Sequence, residues 1–283
     1  MSVRIITDSA SDISQEQADK WGITVIPLKV RFGDREFLDG VTLSPHEFYD
    51  MLEKAPELPK TSQIPPYEYS RYFEDAVAAG DEAVLLTLSS EVSGCFQSAH
   101  IASADFDEGI YVVDTKQFCI SEYILVEQAV RLRDAGMSAE QIAGQINELR
   151  ERAVVIAAFD TLEYLHKGGR LSKAAAVAGN MLSIKPVLTI SDGVVKILEK
   201  ARGVKRATKA MISEVVKRGG IDISMPVCFG YAGAKDDGVR RFIEDSRELY
   251  INGADNIPIA DVGATIGTYS GPGAIALAFF PAV

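Results

Sequence analysis

Residues 84–99 read VLLTLSSEVSGCFQSA, and this stretch sets the expected fold class. An apolar run, Val84–Leu88, passes into serines and a glycine, after which the pattern becomes helical. Strands that alternate with helices build βαβ units, whose parallel sheet is covered on both faces. Further strand-like runs stand at Val3–Thr7, Thr24–Val30 and Tyr111–Val113. We therefore predict an α/β fold that begins with an N-terminal parallel-sheet α/β/α domain over residues 1–152.

From residue 153 the pattern indicates a second domain, of the α+β type, over residues 153–283. The turn Ser191-Asp192-Gly193 separates two strand-like runs, which is typical of a β-hairpin. An amphipathic helix is predicted over Val204–Arg218, and another helix from Ser172. The predicted strands are Val154–Phe159, Pro186–Ile190, Val194–Leu198, Pro226–Tyr231, Pro258–Val262 and Ala274–Phe280.

Composition and charge exclude several classes of function. The 283 residues carry a net charge of −11, and the sequence pI is about 4.9. A surface this acidic repels nucleic acid and anionic membrane faces, so we expect no nucleic-acid partner and at most peripheral membrane contact. The chain opens on a strand signal instead of the apolar core of a signal peptide, and its three cysteines are scattered. Both features indicate a cytoplasmic protein.

The sequence lacks the common catalytic motifs. It contains neither a phosphate-binding G-x-x-x-x-G-K-[ST] loop nor a G-x-S-x-G nucleophile elbow. Residues 271–276 match G-x-G-x-x-A in letters, but they precede the last predicted strand instead of following the first. The three histidines have neither the spacing of zinc ligands nor a visible triad partner. We therefore predict no catalytic residue, no metal and no cofactor.

Carboxylates near the ends of predicted strands permit one enzymatic interpretation. Asp8, Asp12 and Asp114 could bind magnesium in a stand-alone hydrolase or phosphotransferase. In the competing interpretation Asp8 and Ser9 cap the helix that follows, and Asp12 lies favourably in its first turn. No D-x-D pair occurs at these strand ends, and the structural interpretation is favoured.

Two clusters of hydroxyl side chains are candidates for an anion site. Ser93 and Gly94 stand where a strand passes into a helix, a place at which backbone N–H groups and hydroxyls can point at one anion. The alternative is a plain serine cap, although the serines and glycine here exceed what one cap needs. Thr61 and Ser62 form the second cluster, in the loop before a helix predicted from Pro66 to Ala79.

Two basic segments and one glycine-rich segment also stand out. The basic segments are residues 167–172 (KGGRLS) and 200–206 (KARGVKR), which include Arg170 and Arg202. Solvated helix ends are one explanation, and the neighbouring glycines indicate exposed turns that a phosphate or an acidic partner can approach. Residues 263–273 (GATIGTYSGPG) are dense in glycine, which lets backbone pass close to a ligand, and Tyr269 lies among them.

Together these segments resemble the DegV family of bacterial lipid-binding proteins. The shared motifs run in order along essentially the whole chain. They are ITDSASD at 6–12, TSQxPP at 61–66, LSSxxSGxxQSA at 88–99, VVDT at 112–115, LxYLxKGGRLS at 162–172, IKPVL at 184–188, KARG at 200–203 and VGAxIGTxxGPGA at 262–274.

The resemblance implies two α/β domains with a long-chain fatty acid between them, its tail in an apolar tunnel. Better-understood members are the binding subunits of bacterial fatty acid kinase. They hold the acid while a separate ATP-binding subunit phosphorylates its carboxylate to an acyl phosphate. Carried over by motif, Thr61, Ser62 and Ser93 bind the carboxylate through their hydroxyls, and Gly94 adds a backbone N–H.

The resemblance also assigns two arginines and one tyrosine. Arg170 of KGGRLS supports the carboxylate cluster, and Arg202 of KARG faces the kinase subunit or the new phosphate. Members of the family usually carry histidine where this chain has Tyr269, whose phenol can donate to a carboxylate but cannot become a cation. Carboxylate binding is therefore expected to depend more on Arg170 and the hydroxyls. The alternative to a kinase-associated binding subunit is a lipid carrier with a different partner.

Overall fold

The computed structural model describes residues 2–170, 184–250 and 256–282. The strands are β1 (Val3–Asp8), β2 (Thr24–Ile26), β3 (Lys29–Phe32), β4 (Arg35–Leu38), β5 (Lys60–Ser62), β6 (Glu82–Thr87), β7 (Ile110–Asp114), β8 (Val154–Ala158), β9 (Ile184–Ser191), β10 (Val194–Arg202), β11 (Cys228–Tyr231), β12 (Ile259–Asp261) and β13 (Ile275–Phe279). The helices are α1 (Gln15–Trp21), α2 (Pro45–Lys54), α3 (Pro66–Ala78), α4 (Cys95–Ser103), α5 (Ile120–Asp134), α6 (Ala139–Leu149), α7 (Glu163–Lys167), α8 (Val204–Lys217), α9 (Asp237–Asp245) and α10 (Ala264–Ser270). None of these helices combines the length and the apolar character that crossing a lipid bilayer requires.

A four-stranded sheet in the order β2-β1-β6-β7 lies in the first half of the chain. All of its strand pairs are parallel, as the sequence predicts. The prediction of one continuous strand over Thr24–Val30 is wrong, because this segment divides at Pro27 into β2, in this sheet, and β3, in another. Proline has no N–H for a strand ladder, which explains why β2 ends before it.

A small antiparallel sheet in the order β4-β3-β5 is absent from the sequence predictions. Its strands are only three or four residues long, too short for an alternating pattern to be recognised. In this sheet Thr61 of β5 pairs with Val30 of β3, and Ser62 pairs with Lys29. Pairing with β3 therefore holds both predicted hydroxyl residues in place.

The second half of the chain contains a mixed six-stranded sheet in the order β10-β9-β8-β13-β11-β12. The predicted hairpin is confirmed, since β9 and β10 pair antiparallel and Asp192 and Gly193 have φ values of 54° and 77°. Such left-handed values at both turn residues suit the type I′ turn of a two-residue hairpin. The amphipathic helix predicted over Val204–Arg218 is confirmed as α8. The helix predicted from Ser172 lies outside the described residues.

Helix α5 packs between the two large sheets. It contacts β1 of the parallel sheet and β11 and β13 of the mixed sheet. Its Ile120 and Ile124 share one buried cluster with Ile5, Val84 and Ala278. The parallel sheet uses strands before residue 152 and the mixed sheet uses strands after it, and the predicted division into two domains there stays a prediction.

Candidate functional site

A cavity opens between the small sheet, the start of α4 and helix α10. It encloses about 770 Å³ of empty space, part of it open to solvent. Its lining includes six residues predicted to bind a carboxylate: Thr61, Ser62, Ser93, Gly94, Arg170 and Tyr269. Two of them, Thr61 and Tyr269, are 208 positions apart in the chain. Folding therefore gathers motifs from both halves around one opening, which we call the mouth.

Thr61 and Tyr269 touch each other at the mouth. Thr61 Oγ1 lies 2.6 Å from the Tyr269 hydroxyl, and either oxygen can donate the hydrogen bond. Both residues are half-buried. Two hydroxyls share two protons, and the bond between them uses only one. The pair therefore keeps one O–H donor for a ligand, whichever residue provides it.

Ser93 and Gly94 lie at the N-terminus of α4, where Gly94 is the N-cap residue without a side-chain cap. Ser93 Oγ, one residue before the N-cap, accepts a hydrogen bond from the Cys95 N–H at 3.3 Å and still has its own proton to donate. A Cβ on Gly94 would lie 1.9 Å from Gln63 Oε1, so a larger residue here would require the Gln63 side chain to move. Gln63 Nε2 in turn donates to Ser98 Oγ at 2.9 Å.

Arg170 is the one charged residue among the described residues that line this cavity. Its guanidinium carbon lies 4.8 Å from the ring centre of Tyr269, a cation–π contact. The guanidinium also donates to the carbonyl oxygens of Val92 and Gly168, at 3.4 Å and 3.2 Å. A Cβ on Gly168 would lie 2.4 Å from Tyr269 Cδ1, so this glycine lets the ring lie against the backbone. The mouth is thus locally cationic in a chain of net charge −11.

A second, apolar cavity, which we call the extension, adjoins the first and lies against the six-stranded sheet. The residues that line both the first cavity and the extension are Phe118, Phe159, Val195, Ile266 and Ser270. The remaining wall is dominated by small or apolar residues, including Ala157, Gly230, Ala232, Ala274 and Ala276. A cationic, hydroxyl-rich mouth that adjoins an apolar extension suits an amphipathic anion.

Sequence reasoning missed most of this lining. Gln63 belongs to the TSQ motif but has no predicted role, although it closes over Gly94. Thr265 and the phenyl rings of Phe118 and Phe159 also line the cavity. The glycine-rich segment predicted to pass near a ligand contains a helix, α10, which carries Thr265 and Tyr269. No local pattern marks the apolar residues, because they meet only after the two halves pack.

Two carboxylates of the enzymatic interpretation accept hydrogen bonds from backbone N–H groups, and each has one donor far away in the sequence. Asp8 accepts from the N–H groups of Ala10 and Leu88, at 3.0 Å and 2.9 Å, so its predicted capping role is confirmed. Burial raises the pKa of Asp8 to about 7. The helix after Asp8 is a single short 3₁₀ turn, Ser9–Ser11. The prediction that Asp12 lies in the first turn of a helix is wrong, because Asp12 follows this turn with φ 55°. It accepts from the Gly263 N–H at 2.8 Å instead.

The third carboxylate, Asp114, accepts from the N–H groups of Ser90 and Lys116, both at 3.1 Å. The Lys116 ammonium lies 3.1 Å from the same carboxylate. Burial acts to raise the pKa of Asp114, but the hydrogen bonds from Ser90 and Lys116 lower it overall. Within residues 2–170, 184–250 and 256–282, no three His, Cys, Asp or Glu side chains are grouped as metal ligands.

Arg202 does not line the mouth. It is exposed at the end of β10, whereas Val195, near the start of the same strand, lines the cavity. Its assignment to a kinase subunit or to a new phosphate stays a prediction.

A family relationship agrees with this geometry. The sequence model of the family described as uncharacterised protein, DegV family, matches residues 2–282. The chain belongs to the DegV family. A DegV domain-containing protein of Caldanaerobacter subterraneus is 37% identical over 223 residues, which cover 78% of this chain and 79% of that protein.

Solved DegV structures share the fold. A DegV family protein from Thermus thermophilus, described by its fatty acid binding, has a TM-score of 0.89 and 28% identity, with both chains covered completely. A stearic acid-binding protein from Eubacterium ventriosum has a TM-score of 0.84 and 27% identity, with 99% of this chain and 98% of that chain covered. The predicted family and the predicted DegV-like α/β fold are therefore confirmed.

Proposed function

We propose that this DegV protein binds a long-chain fatty acid, with the carboxylate at the mouth and the acyl chain in the extension. The observation that carries the proposal is that a cavity lined by one cation and several hydroxyls shares five wall residues with an apolar cavity. The fatty acid binding of the Thermus thermophilus and Eubacterium ventriosum proteins supports the same class of ligand here.

The mouth supplies the donors that a buried carboxylate requires. Without donors, such a group costs several kcal/mol or takes up a proton. The Thr61–Tyr269 pair offers one O–H, Ser93 a second, and the Gly94 N–H lies at a helix N-terminus that favours anions. Arg170 adds a positive charge over the ring of Tyr269. Ser62 lines the same opening from its rim.

The extension supplies the affinity. Each methylene buried from water contributes about 0.8 kcal/mol, so eight methylenes contribute about 6 kcal/mol. No metal or cofactor is needed for binding of this kind. The chain is then a binding protein in which no residue acts as a catalyst.

A kinase subunit is the proposed partner. A separate ATP-binding subunit transfers the γ-phosphoryl group of ATP to a carboxylate oxygen of the bound acid, which gives an acyl phosphate and ADP. This chain presents the carboxylate in the cytoplasm, and the exposed Arg202 lies on the surface that the partner contacts. Tyr269, which stands where the family usually has histidine, favours a second candidate, a carrier that delivers the lipid to a different partner.

Mass spectrometry and calorimetry test the lipid proposal. Native mass spectrometry of freshly purified protein is expected to show a co-purified acid as a fixed added mass. After delipidation, palmitate is expected to bind more tightly than 1-hexadecanol, because only the acid carries a charge for Arg170. Equal affinities for the two compounds, or no binding of either, would contradict the proposed head-group site.

Reconstitution tests the kinase proposal. The palmitate-loaded protein, mixed with an ATP-binding fatty acid kinase subunit and ATP, is expected to yield an acyl phosphate that hydroxylamine traps as a hydroxamate. Arg202→Ala is expected to reduce that yield and leave the palmitate affinity unchanged. A kinase subunit that is active with its own carrier but inactive with this protein would favour the second candidate.

A further inference from the structure

The first turn of helix α10, which carries Tyr269, donates hydrogen bonds to a buried carboxylate from the other half of the chain. Asp39, directly after β4, accepts hydrogen bonds from the N–H groups of Ala264 and Thr265, at 2.8 Å and 3.0 Å. Only 3% of Asp39 is exposed. Both carboxylate oxygens are engaged, because Ala264 bonds Oδ1 and Thr265 bonds Oδ2.

The orientation of Asp39 is itself held by Ser9. The Ser9 hydroxyl donates to Asp39 Oδ2 at 3.1 Å and accepts from the Leu28 N–H at 3.0 Å. Ser9 follows β1 directly, so the chain of contacts runs from the parallel sheet through Asp39 to α10.

Close packing favours glycine at two positions. One is the N-cap residue of α10, and the other lies within the helix. A Cβ on Gly263 would lie 2.9 Å from Asp39 Oδ1. A Cβ on Gly267 would lie 2.5 Å from Phe48 Cε1 and 2.8 Å from the Tyr49 hydroxyl. Contacts this short mean that a side chain at either position would displace Asp39, Phe48 or Tyr49, so glycine lets α10 pack closely on the N-terminal half.

The C-terminal end of α10 contacts the same small sheet. Asp39 follows β4, Thr61 lies on β5, and β3 pairs with both strands. Tyr269 lies four residues beyond Thr265, about 6 Å along a helix, and its hydroxyl meets Thr61. The small sheet thus holds α10 at its first turn through Asp39 and at its last turn through Thr61.

We propose that Asp39 is a positioning residue of the fatty-acid site, which seats α10 on the small sheet so that the Tyr269 hydroxyl meets Thr61 at the mouth. The inference rests on the proposed function and extends it to a residue that lies outside the cavity lining. Asp39 touches no ligand and acts through Tyr269.

Asp39→Asn tests this role with little change in size. An amide presents one accepting oxygen and one NH₂ group, so it cannot accept from both Ala264 and Thr265. The expected result is a loss of palmitate affinity of about tenfold, the equivalent of one hydrogen bond. Asp222→Asn is the matched control, because Asp222 accepts from the N–H and hydroxyl of Ser224 in a turn before β11. The control is expected to bind palmitate as the wild type does.

A double-mutant cycle separates positioning from general destabilisation. Calorimetry with palmitate compares the delipidated wild type, Asp39→Asn, Tyr269→Phe and the double variant. If Asp39 acts through the Tyr269 hydroxyl, Asp39→Asn is expected to cost less than twofold when Tyr269 is already phenylalanine. A loss that stays tenfold in that background would overturn the positioning role.

Two further outcomes distinguish a failure of the role proposed for Asp39 from a failure of the proposed function. Should Asp39→Asn fail to fold, Ser9→Ala takes its place, with a smaller loss that also disappears in the Tyr269→Phe background. An equal loss for Ser9→Ala in both backgrounds would overturn the inference. A wild type that binds no palmitate would overturn the proposed function, whereas additive losses in a wild type that binds palmitate would overturn only the role of Asp39.

Discussion

The mouth of the cavity and its extension are built in different ways. The mouth takes hydroxyls, a glycine and an arginine from a short strand, a helix start, the segment after α7 and α10, which belong to both halves of the chain. The extension takes small side chains from regular strands of one sheet, where Ala157 of β8 pairs directly with Ala276 of β13. Recognition of a head group therefore depends on how the two halves are placed. The room for an acyl chain depends mainly on side-chain volume in that sheet, although Phe118 and Cys119 of the first half also line it.

The largest expected effect comes from filling the extension. In Ala276→Leu the larger side chain occupies space that the end of a long acyl chain would take. Exclusion of four methylenes costs about 3 kcal/mol, more than a hundredfold in affinity for palmitate. Decanoate, which is shorter, is expected to lose much less. Calorimetry on delipidated protein measures both, and Ala78→Leu on the exposed face of α3 is the control. Equal losses for the two acids would show that Ala276 does not limit chain length.

A smaller effect is expected at the mouth, and it is independent of chain length. Thr61→Val keeps the shape of the side chain but removes the hydroxyl that lies 2.6 Å from Tyr269. Tyr269 can then still donate, but it loses the hydrogen bond to Thr61 that fixes its orientation. Palmitate and decanoate are both expected to lose the same factor, at most that of one hydrogen bond to a charged group, about 2 kcal/mol. Adding Ser93→Ala is expected to weaken binding further, whereas Ser103→Ala, at the other end of α4, serves as the control. Unchanged affinity in the double variant would remove these hydroxyls from the head-group site.

The smallest expected effect is on the free energy of unfolding, which depends on pH through Asp8, a carboxylate next to the mouth. Asp8 accepts from the N–H of Leu88, which lines the mouth, and burial raises its pKa to about 7. Because the folded state holds this proton more tightly than the unfolded state, stability falls as pH rises from the unfolded pKa through about 7. Between about pH 6 and about pH 7.5 the loss is about 1 kcal/mol, and Asp8→Asn is expected to lack it.

Urea unfolding of both proteins at the two pH values measures this difference. The buried carboxyls of Asp39 and Glu122, whose pKa values burial also raises, are present in both proteins. The informative quantity is therefore the difference between the two declines in unfolding free energy. Equal declines would mean that Asp8 does not change its ionisation in this range.

Features that depend on neighbouring residues in the chain were predictable. The hairpin at Asp192 and Gly193 follows from residues that accept left-handed backbone, and α8 follows from its apolar stripe. The parallel sheet follows from the alternation of strands and helices. The break at Pro27 could have been predicted too, because proline interrupts a strand ladder, but the β-branched run Thr24–Ile26 before it and Val30 after it favoured one continuous strand.

The sequence by itself determined the family, the α/β class and the residue types of a carboxylate site, because motifs and periodicity are local properties. Only the tertiary structure decided that Thr61 meets Tyr269, that Asp39 holds the first turn of α10, and that small residues of one sheet leave an apolar extension. These are contacts between segments far apart in the chain. Their geometry depends on how sheets and helices pack, and no spacing within a single segment records it.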